Sequence, residues 1–200
     1  YPASSVMADY FAHVDAAEQA AFGPPRFGPA GVRQLILQRG DLNLLDADVL
    51  APALAADVII VFSGSFIRPP LVDRLIERQA INIHMGVSPY FRGMSCNFWA
   101  LHEGHPEYVG ATIHRLSAGL DSGAMLFHAL PAAAGDSFAL GMTAVAAAHA
   151  GIVEHLRQGD LLDLDPVPQD NSREIRYARG EDFTDDIAAA YLANPPSPKT

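Results

Sequence analysis

One run of five apolar residues restricts the fold of this chain more than any other feature. Residues Val58–Phe62 read Val-Ile-Ile-Val-Phe, without a polar residue among them. A short continuous apolar run that is rich in β-branched side chains is typical of a strand buried on both faces, as in a parallel sheet. We therefore predict that this run is a central parallel strand of an α/β protein.

The residues after this run repeat the order of strand, helix and strand. A loop over 63–70 leads into apolar residues at helical spacing, and Pro70 suits the first turn of that helix. A second strand follows at Ile81–His84. This alternation predicts a doubly wound, mainly parallel sheet with right-handed crossovers, whose ligands bind beyond the carboxyl ends of the strands.

Further elements are predicted on both sides of this unit. Patterns of helical period predict helices at 5–22, 46–56, 138–157 and 184–192, and a short helix with Phe98, Trp99 and Leu101 between Ser95 and Gly104. Patterns typical of strands occur at 32–37, 111–116, 125–130 and 174–178, and the strand at 125–130 is expected to run antiparallel to its predecessor. The inward face of the long helix is predicted to carry Val145, His149, Ile152, Val153 and Leu156. We predict a main domain over 1–159 and a short C-terminal extension over 160–200.

Composition limits the class of protein and its partners. Half of the 200 residues are apolar, but no uninterrupted apolar run approaches the roughly 20 residues that cross a bilayer. The formal charge of −10 opposes binding to nucleic acid, and the only small basic cluster is Arg173, Arg176 and Arg179. The single cysteine, Cys96, excludes an intramolecular disulfide framework. We expect a soluble protein of a reducing, cytoplasmic compartment, with neither membrane nor nucleic acid as partner; a leader before Tyr1 is left open.

Three polar residues are placed where chemistry can use them. Asn82 and His84 are two residues apart on a strand and so share a face at its carboxyl end. A later strand runs into the loop 117–123, which carries the carboxylate of Asp121 between two glycines. No grouping of the other histidines has metal-ligand spacing, and His114 is interpreted as an ordinary strand residue and Cys96 as a packed one.

These residues belong to three motifs in a recognisable order. They are Asn82-Ile83-His84, the loop Ser88-Pro89-Tyr90-Phe91-Arg92-Gly93, and the loop Leu120-Asp121-Ser122-Gly123. In this order the chain resembles the formyltransferases that use 10-formyltetrahydrofolate, over roughly residues 55–157. The resemblance implies a Rossmann-like formyltransferase fold, with residues 1–159 as the catalytic domain.

The resemblance also implies a chemical role for each residue of the trio. The amide of Asn82 would donate to the formyl oxygen, and His84 would act as a donor and proton-transfer group. Asp121 would orient His84 and take the proton that the amine sheds, directly or through water. A carboxylate beside His84 would raise the pKa of that imidazole and favour its charged form. No metal is required.

Contacts with the cofactor and the acceptor follow from the resemblance as well. The residues that match the loops around 10-formyltetrahydrofolate are Phe66, Ile67, Arg68, Leu116, Gly119 and Leu120. The wall between cofactor and acceptor would carry Ser88, Pro89 and Arg92.

Two departures from the family pattern affect the predicted substrate. The first strand and the glycine-rich loop with which several members begin are not found, so a segment is expected to be missing there. The C-terminal residues are too few for the β-barrel domain of transfer-RNA formyltransferases, and they are not basic. The leading prediction is transfer of a formyl group to a small primary amine, with an amino sugar slightly favoured. A 10-formyltetrahydrofolate hydrolase and a non-catalytic folate-binding module remain alternatives, and a homodimer is left open.

Overall fold

The computed structural model describes residues 4–24, 28 and 30–197. The α-helices in this part of the chain are α1 (Ser5–Phe22), α2 (Ala47–Leu54), α3 (Leu71–Glu77), α4 (Cys96–His102), α5 (Ser137–Gln158) and α6 (Asp185–Ala193). The strands are β1 (Ile60–Phe62), β2 (Ile81–His84), β3 (Phe91–Gly93), β4 (Ala111–Arg115), β5 (Met125–Ala129) and β6 (Arg176–Ala178).

Four strands form the main sheet, in the order β1-β2-β4-β5. Strand β2 is parallel to β1, whereas the β2–β4 and β4–β5 pairs are antiparallel. The α/β class is confirmed, and so is the antiparallel direction of β5, but parallel pairing in this sheet is limited to β1 and β2. The reason is the connection between β2 and β4. It leaves the carboxyl end of β2 and re-enters the sheet there, with His84 opposite Thr112, so no crossover is needed.

Strand β1 lies at the edge of the sheet among the described residues, not at its centre as predicted. Ile60 and Phe62 are each 39% exposed, whereas Val61 packs in a cluster with helix α3. One face of β1 is thus covered and the other is open. The prediction of a strand here is confirmed, but an apolar run of this kind does not indicate whether the strand has a neighbouring strand on one side or on both.

The predicted strand over 32–37 is wrong, because these residues form irregular chain. A strand needs a partner for its backbone groups, and this segment pairs with none of the described strands. Its side chains are not buried either, since Val32 is 56% and Ile36 is 89% exposed. β-branched composition alone was therefore insufficient.

Several predicted helix ends are confirmed. Ser4 caps α1, its hydroxyl accepting from the backbone N–H of Met7. Gly159 ends α5 in the left-handed conformation with φ of 76°. Thr184 caps α6 by accepting from Ile187.

Helix α5 covers one face of the sheet with a stripe of small residues. Its buried positions are Ser137, Leu140, Ala144, Ala148 and Ile152. Val153 and Leu156 are exposed, by 41% and 42%, so the predicted inward face was rotated. Small side chains let the helix approach the sheet closely. In the part of the chain that the structure describes, α5 alone is long and apolar enough to span a membrane, a property shared by core helices of globular proteins.

The C-terminal residues pack into the same body as the rest. Strand β6 pairs in parallel with β3, a short strand that was predicted as loop. Ala188 and Tyr191 of α6 are buried in one apolar cluster with Tyr10 of α1 and Phe98 of α4. Residues of the predicted extension thus contribute to this apolar cluster, and the boundary at residue 159 stays a prediction.

Candidate active site

Three side chains meet at the carboxyl end of β2. Asn82 and His84 project from the same face of that strand. The carboxylate of Asp121 lies between them, with Oδ1 3.2 Å from Asn82 Nδ2 and Oδ2 3.3 Å from His84 Nδ1. The structure therefore brings together the three residues that the sequence singled out.

Each ring nitrogen of His84 faces a hydrogen-bond acceptor. Nδ1 faces the carboxylate of Asp121, and Nε2 is 3.3 Å from the carbonyl oxygen of Phe91. Two acceptors call for two N–H donors, which only the imidazolium has. Burial by itself lowers the pKa of His84, but Asp121 and the neighbouring Cys96 outweigh burial and raise the pKa to about 10. His84 is therefore a buried cation at neutral pH.

The side-chain amide of Asn82 is held from two sides. Its Nδ2 is 3.0 Å from Nε2 of His114 and 3.2 Å from Oδ1 of Asp121. A carboxylate can only accept hydrogen bonds, so the atom of the Asn82 amide that faces Asp121 must be the nitrogen. In His114, Nδ1 lies 2.8 Å from the carbonyl oxygen of Arg115 and donates to it, so Nε2 accepts from Asn82. Both N–H groups of Asn82 are thus engaged by the protein.

His114 is the residue of this site that the sequence analysis missed. It is 1% exposed and stands directly opposite Asn82 in the antiparallel β2–β4 ladder. Its Nε2 is also 3.8 Å from Oδ1 of Asp121. Opposite residues of an antiparallel pair share a face, so the alignment of the two strands is the signal that could have found it.

Asp121 lies in the loop between β4 and β5 and has an uncommon backbone conformation. Its φ of 46° falls in the left-handed region, which residues with a side chain seldom adopt. Burial by itself raises the pKa of the carboxyl, but contacts with His114 and His84 outweigh burial and hold the pKa well below its ordinary value. Asp121 is therefore ionised at neutral pH and is a good acceptor but a weak base.

An open cavity of about 1140 Å³ is lined by these side chains. The predicted trio and His114 are among the residues that line it. Five of the six residues predicted to contact the cofactor also line it: Phe66, Ile67, Leu116, Gly119 and Leu120. The sixth, Arg68, does not; its backbone N–H instead donates to Oδ1 of Asn43, 2.7 Å away.

The residues predicted to face the acceptor lie outside this cavity. The side chain of Ser88 is fully buried, and its backbone N–H donates to Oγ1 of Thr112. Pro89 is buried next to it. Arg92 forms an ion pair with Glu174 at 3.0 Å. Interior packing and this ion pair engage these side chains, and their contact with the acceptor stays a prediction.

Comparison with known proteins decides the family. Residues 30–153 match the sequence profile of the formyl transferase family, which is more than half of the chain. This chain belongs to the formyl transferase family. All three residues of the trio lie within the matched range.

Two relatives from the formyl transferase family match this chain over less than half of their own length. The methionyl-tRNA formyltransferase of Synechococcus sp. (strain JA-3-3Ab) is 34% identical over 132 residues, which are 64% of this chain and 41% of that protein. That of Thiobacillus denitrificans is 36% identical over 146 residues, which are 72% of this chain and 46% of that protein. The chain thus spans less than half the length of these relatives.

Solved structures of formyltransferases share the fold. The formyltransferase PseJ from Anoxybacillus kamchatkensis, solved with a formamido sugar nucleotide and tetrahydrofolate, aligns with a TM-score of 0.57 at 22% identity, over 83% of this chain and 79% of that one. A sugar N-formyltransferase from Shewanella sp. aligns with a TM-score of 0.55 at 19% identity, over 90% and 75% of the two chains. These likenesses confirm the predicted Rossmann-like formyltransferase fold.

The described residues of this formyl transferase family member do not form a metal centre. Within 4–24, 28 and 30–197, no three His, Cys, Asp or Glu side chains are grouped so that they could hold an ion. That the reaction needs no metal stays a prediction. Cys96 is 1% exposed, which confirms that it is packed.

Proposed function

We propose that this chain transfers a formyl group from 10-formyltetrahydrofolate to a primary amine of a small molecule. One observation carries the proposal. The ionised carboxylate of Asp121 contacts both the amide of Asn82 and the imidazolium of His84, and all three line a large cavity. A site that has only to bind a ligand has no evident need for a buried cation, an anion and an amide in mutual contact.

The cavity suits a folate as the formyl donor. Its lining includes the apolar residues Phe66, Leu116 and Leu120, which belong to the two loops that follow β1 and β4. Apolar side chains can cover the faces of a flat ring system, while backbone groups can pair with its polar edge. Asn43 braces the first loop, since its Nδ2 donates to the carbonyl oxygen of Phe66 at 2.9 Å. When bound, 10-formyltetrahydrofolate supplies the formyl carbon that the amine attacks and the nitrogen that leaves.

In this proposal, Asn82 and His84 stabilise the negative charge that develops on the formyl oxygen. The His84 cation is fixed before the reaction begins, so it provides electrostatic stabilisation without reorganisation. The amide of Asn82 would donate to the oxygen by exchanging one of its present acceptors. The contact with Asp121 is the longer of the two, at 3.2 Å against 3.0 Å for His114, so it is the one we expect to be exchanged.

Asp121 would move the proton of the amine. An amine nitrogen that has bonded to the formyl carbon carries a positive charge and is acidic, so the weakly basic carboxylate suffices to accept its proton or to hold a water that does. The acceptor amine loses one proton in the overall reaction and the leaving nitrogen gains one. A carboxylate that lies at the centre of the site can pass the proton between them.

The acceptor we propose is an amino sugar. The similar solved structures include sugar N-formyltransferases, whereas the similar sequences are methionyl-tRNA formyltransferases. The basic cluster of the chain is already paired: Arg176 lies 3.6 Å over the ring of Trp99 and contacts Glu103, and Arg173 contacts Tyr90. These contacts occupy cations of the cluster, so the cluster offers little to the phosphates of an RNA, which favours a small acceptor.

The proposal is tested by incubating the chain with 10-formyltetrahydrofolate and one amine at a time. The panel contains nucleotide-linked amino sugars, glycinamide ribonucleotide and methionyl-tRNA, and mass spectrometry detects the formyl addition. A formylated amino sugar supports the proposal in full. Formylation of methionyl-tRNA or glycinamide ribonucleotide alone would overturn the acceptor but not the transfer. Release of formate without an amine would indicate a hydrolase, and binding without turnover a folate-binding module.

Replacement of the central carboxylate tests the mechanism. We expect Asp121→Asn to lower turnover by roughly a hundredfold or more, because it removes both the proton acceptor and the charge partner of His84. Steady-state kinetics on the best acceptor measure the effect. Asp48→Asn is the matched control, since Asp48 is an exposed residue of α2 that does not line the cavity. Turnover of Asp121→Asn close to that of the control would contradict the proposed role.

A further inference from the structure

The loop that carries Asp121 is attached to a segment beyond the residues that match the family profile. The amide nitrogen of Gln169 lies 2.9 Å from the carbonyl oxygen of Asp121 and 2.8 Å from that of Gly123. Both N–H groups of one side chain are thus donated to the backbone of a single short loop. Gln169 lies outside the matched range of 30–153, so the family comparison assigns it no role.

The backbone of this loop needs external support. Asp121 adopts a φ of 46°, and such conformations persist only where the surroundings hold them. Gly123 is confined as well, since a Cβ atom there would lie 1.7 Å from the carbonyl oxygen of Arg115. The two hydrogen bonds from Gln169 hold the backbone at Asp121, the strained residue, and at Gly123, two residues later.

Gln169 is itself held in place by its neighbours in the chain. Two residues earlier, Val167 forms a bridge with Met125 at the start of β5, with both N···O distances 2.8 Å. Five residues later, Glu174 pairs with Arg92, whose other nitrogen is 3.3 Å from the carbonyl oxygen of Leu120. The segment 167–174 is therefore held by contacts on both sides of Gln169. The bridge to Met125 and the ion pair with Arg92 both connect it to strands or a loop next to Asp121.

We propose that Gln169 is a positioning residue that keeps the carboxylate of Asp121 between Asn82 and His84. It acts through the backbone of the loop and touches neither ligand nor reacting atoms. The catalytic consequence of this role rests on the proposed function. The effect of Gln169 on the geometry of the site does not depend on it. A loop released from Gln169 would let Asp121 leave the left-handed conformation and move away from the imidazole.

Gln169→Met tests the proposal, because it keeps the length of the side chain but removes both N–H donors. The control is Gln158→Met at the end of α5, where the amide contacts only Glu154 of the same helix. The ring of His84 reports on the geometry through its titration, followed by NMR of selectively labelled histidine. Asp121 and Cys96 are the ionisable groups that face it, and neither is altered in these variants.

We expect the titration midpoint of His84 to fall in Gln169→Met and to stay unchanged in Gln158→Met. Where the chain proves to be a formyltransferase, kcat should fall between about tenfold and a hundredfold with little change in KM for the amine, as expected for a misplaced catalytic group. A His84 midpoint equal to that of the control, in folded protein, would overturn the proposal. This readout needs no turnover, so it decides the role of Gln169 even if no formyl transfer is found.

A second variant covers the case in which Gln169→Met does not fold. Gln169→Asn keeps the amide but is one methylene shorter, so it cannot reach both carbonyl oxygens. A partial fall of the His84 midpoint in this variant supports the proposal. A midpoint identical to that of the unaltered chain overturns it.

Discussion

His84 and Asp121 form an ion pair that is almost entirely shielded from water, with 5% and 13% of their side chains exposed. The charges are balanced within the site: one imidazolium, one carboxylate, and the dipoles of an amide and a second imidazole. A buried pair of this kind is costly to break, because the partner that remains is left charged without compensation. Residues of the site therefore affect the stability of the fold as well as its chemistry.

The stability of the fold should depend on pH through this pair. The pKa of His84 is raised from 6.5 to about 10. Its contribution to the free energy of unfolding is therefore complete below pH 6.5 and is lost as the pH rises through 10. The pKa of Asp121 is lowered, so its contribution is complete above the ordinary value of 3.8 and is lost as the pH falls. The pair should stabilise most strongly between these two ordinary values.

Asp121→Asn is expected to reveal this dependence. At about pH 5.5 the free energy of unfolding should be lower than that of the unaltered chain by about 3 kcal/mol, and the difference should shrink toward about pH 9.5. Urea unfolding across this range measures it, with Asp48→Asn as the control. A difference that is constant with pH would show that the two residues are not coupled as the geometry indicates.

At the scale of elements, the pairing of two three-residue strands connects the C-terminal part to the site. Strand β3 follows the loop after β2, and its partner β6 comes from the far end of the chain. Gly93 ends β3 with φ of 88°, and a Cβ atom there would lie 2.0 Å from the carbonyl oxygen of Ala178. That oxygen also accepts from the N–H of Met94. The contact requires glycine for both conformation and space.

Gly93→Ala should therefore separate these strands. We expect a loss of about 2–4 kcal/mol in the free energy of unfolding, from backbone strain and the overlap with Ala178. Thermal or urea unfolding measures it. In the control, Gly135→Ala, the added methyl group meets no heavy atom within 4 Å, and the change should stay within about 1 kcal/mol. Equal stability of the two variants would contradict the structural role of Gly93.

At the scale of the whole molecule, the net charge and the contacts of the C-terminal arginines bear on the acceptor that we propose. The formal charge is −10, and arginines of the C-terminal cluster contact Glu103, Tyr90 and Glu181. An RNA would have to compete with these contacts and with the overall negative field. A cytoplasmic location and a homodimer stay predictions.

This chain should not bind transfer RNA at moderate ionic strength. The expected result of a filter-binding or fluorescence titration at about 0.15 M salt is no saturable binding, since a stable complex requires several Lys or Arg contacts to phosphates. The methionyl-tRNA formyltransferase of Thiobacillus denitrificans serves as the comparison protein. Saturable binding that weakens steeply with added salt would refute this expectation and would revive RNA as the acceptor.

Local spacing in the sequence determined much of this protein. The helical periods and caps predicted α1, α5 and α6, because side chains three and four apart share a face whatever surrounds the helix. The period of two placed Asn82 and His84 together, and the glycines around Asp121 marked its loop. The resemblance to a family then connected these separate pieces.

Only the tertiary structure decided which strands are neighbours. Strands pair through backbone hydrogen bonds, which almost any residue can form. The residue types of a strand therefore do not identify the strand with which it pairs. The edge position of β1, the β3–β6 pair and the antiparallel alignment that puts His114 opposite Asn82 all follow from such pairing. The same holds for Gln169, which lies 48 residues from Asp121 in the sequence and holds it by binding a backbone oxygen. A backbone oxygen is present at every residue, so nothing in the sequence identifies the one that Gln169 binds.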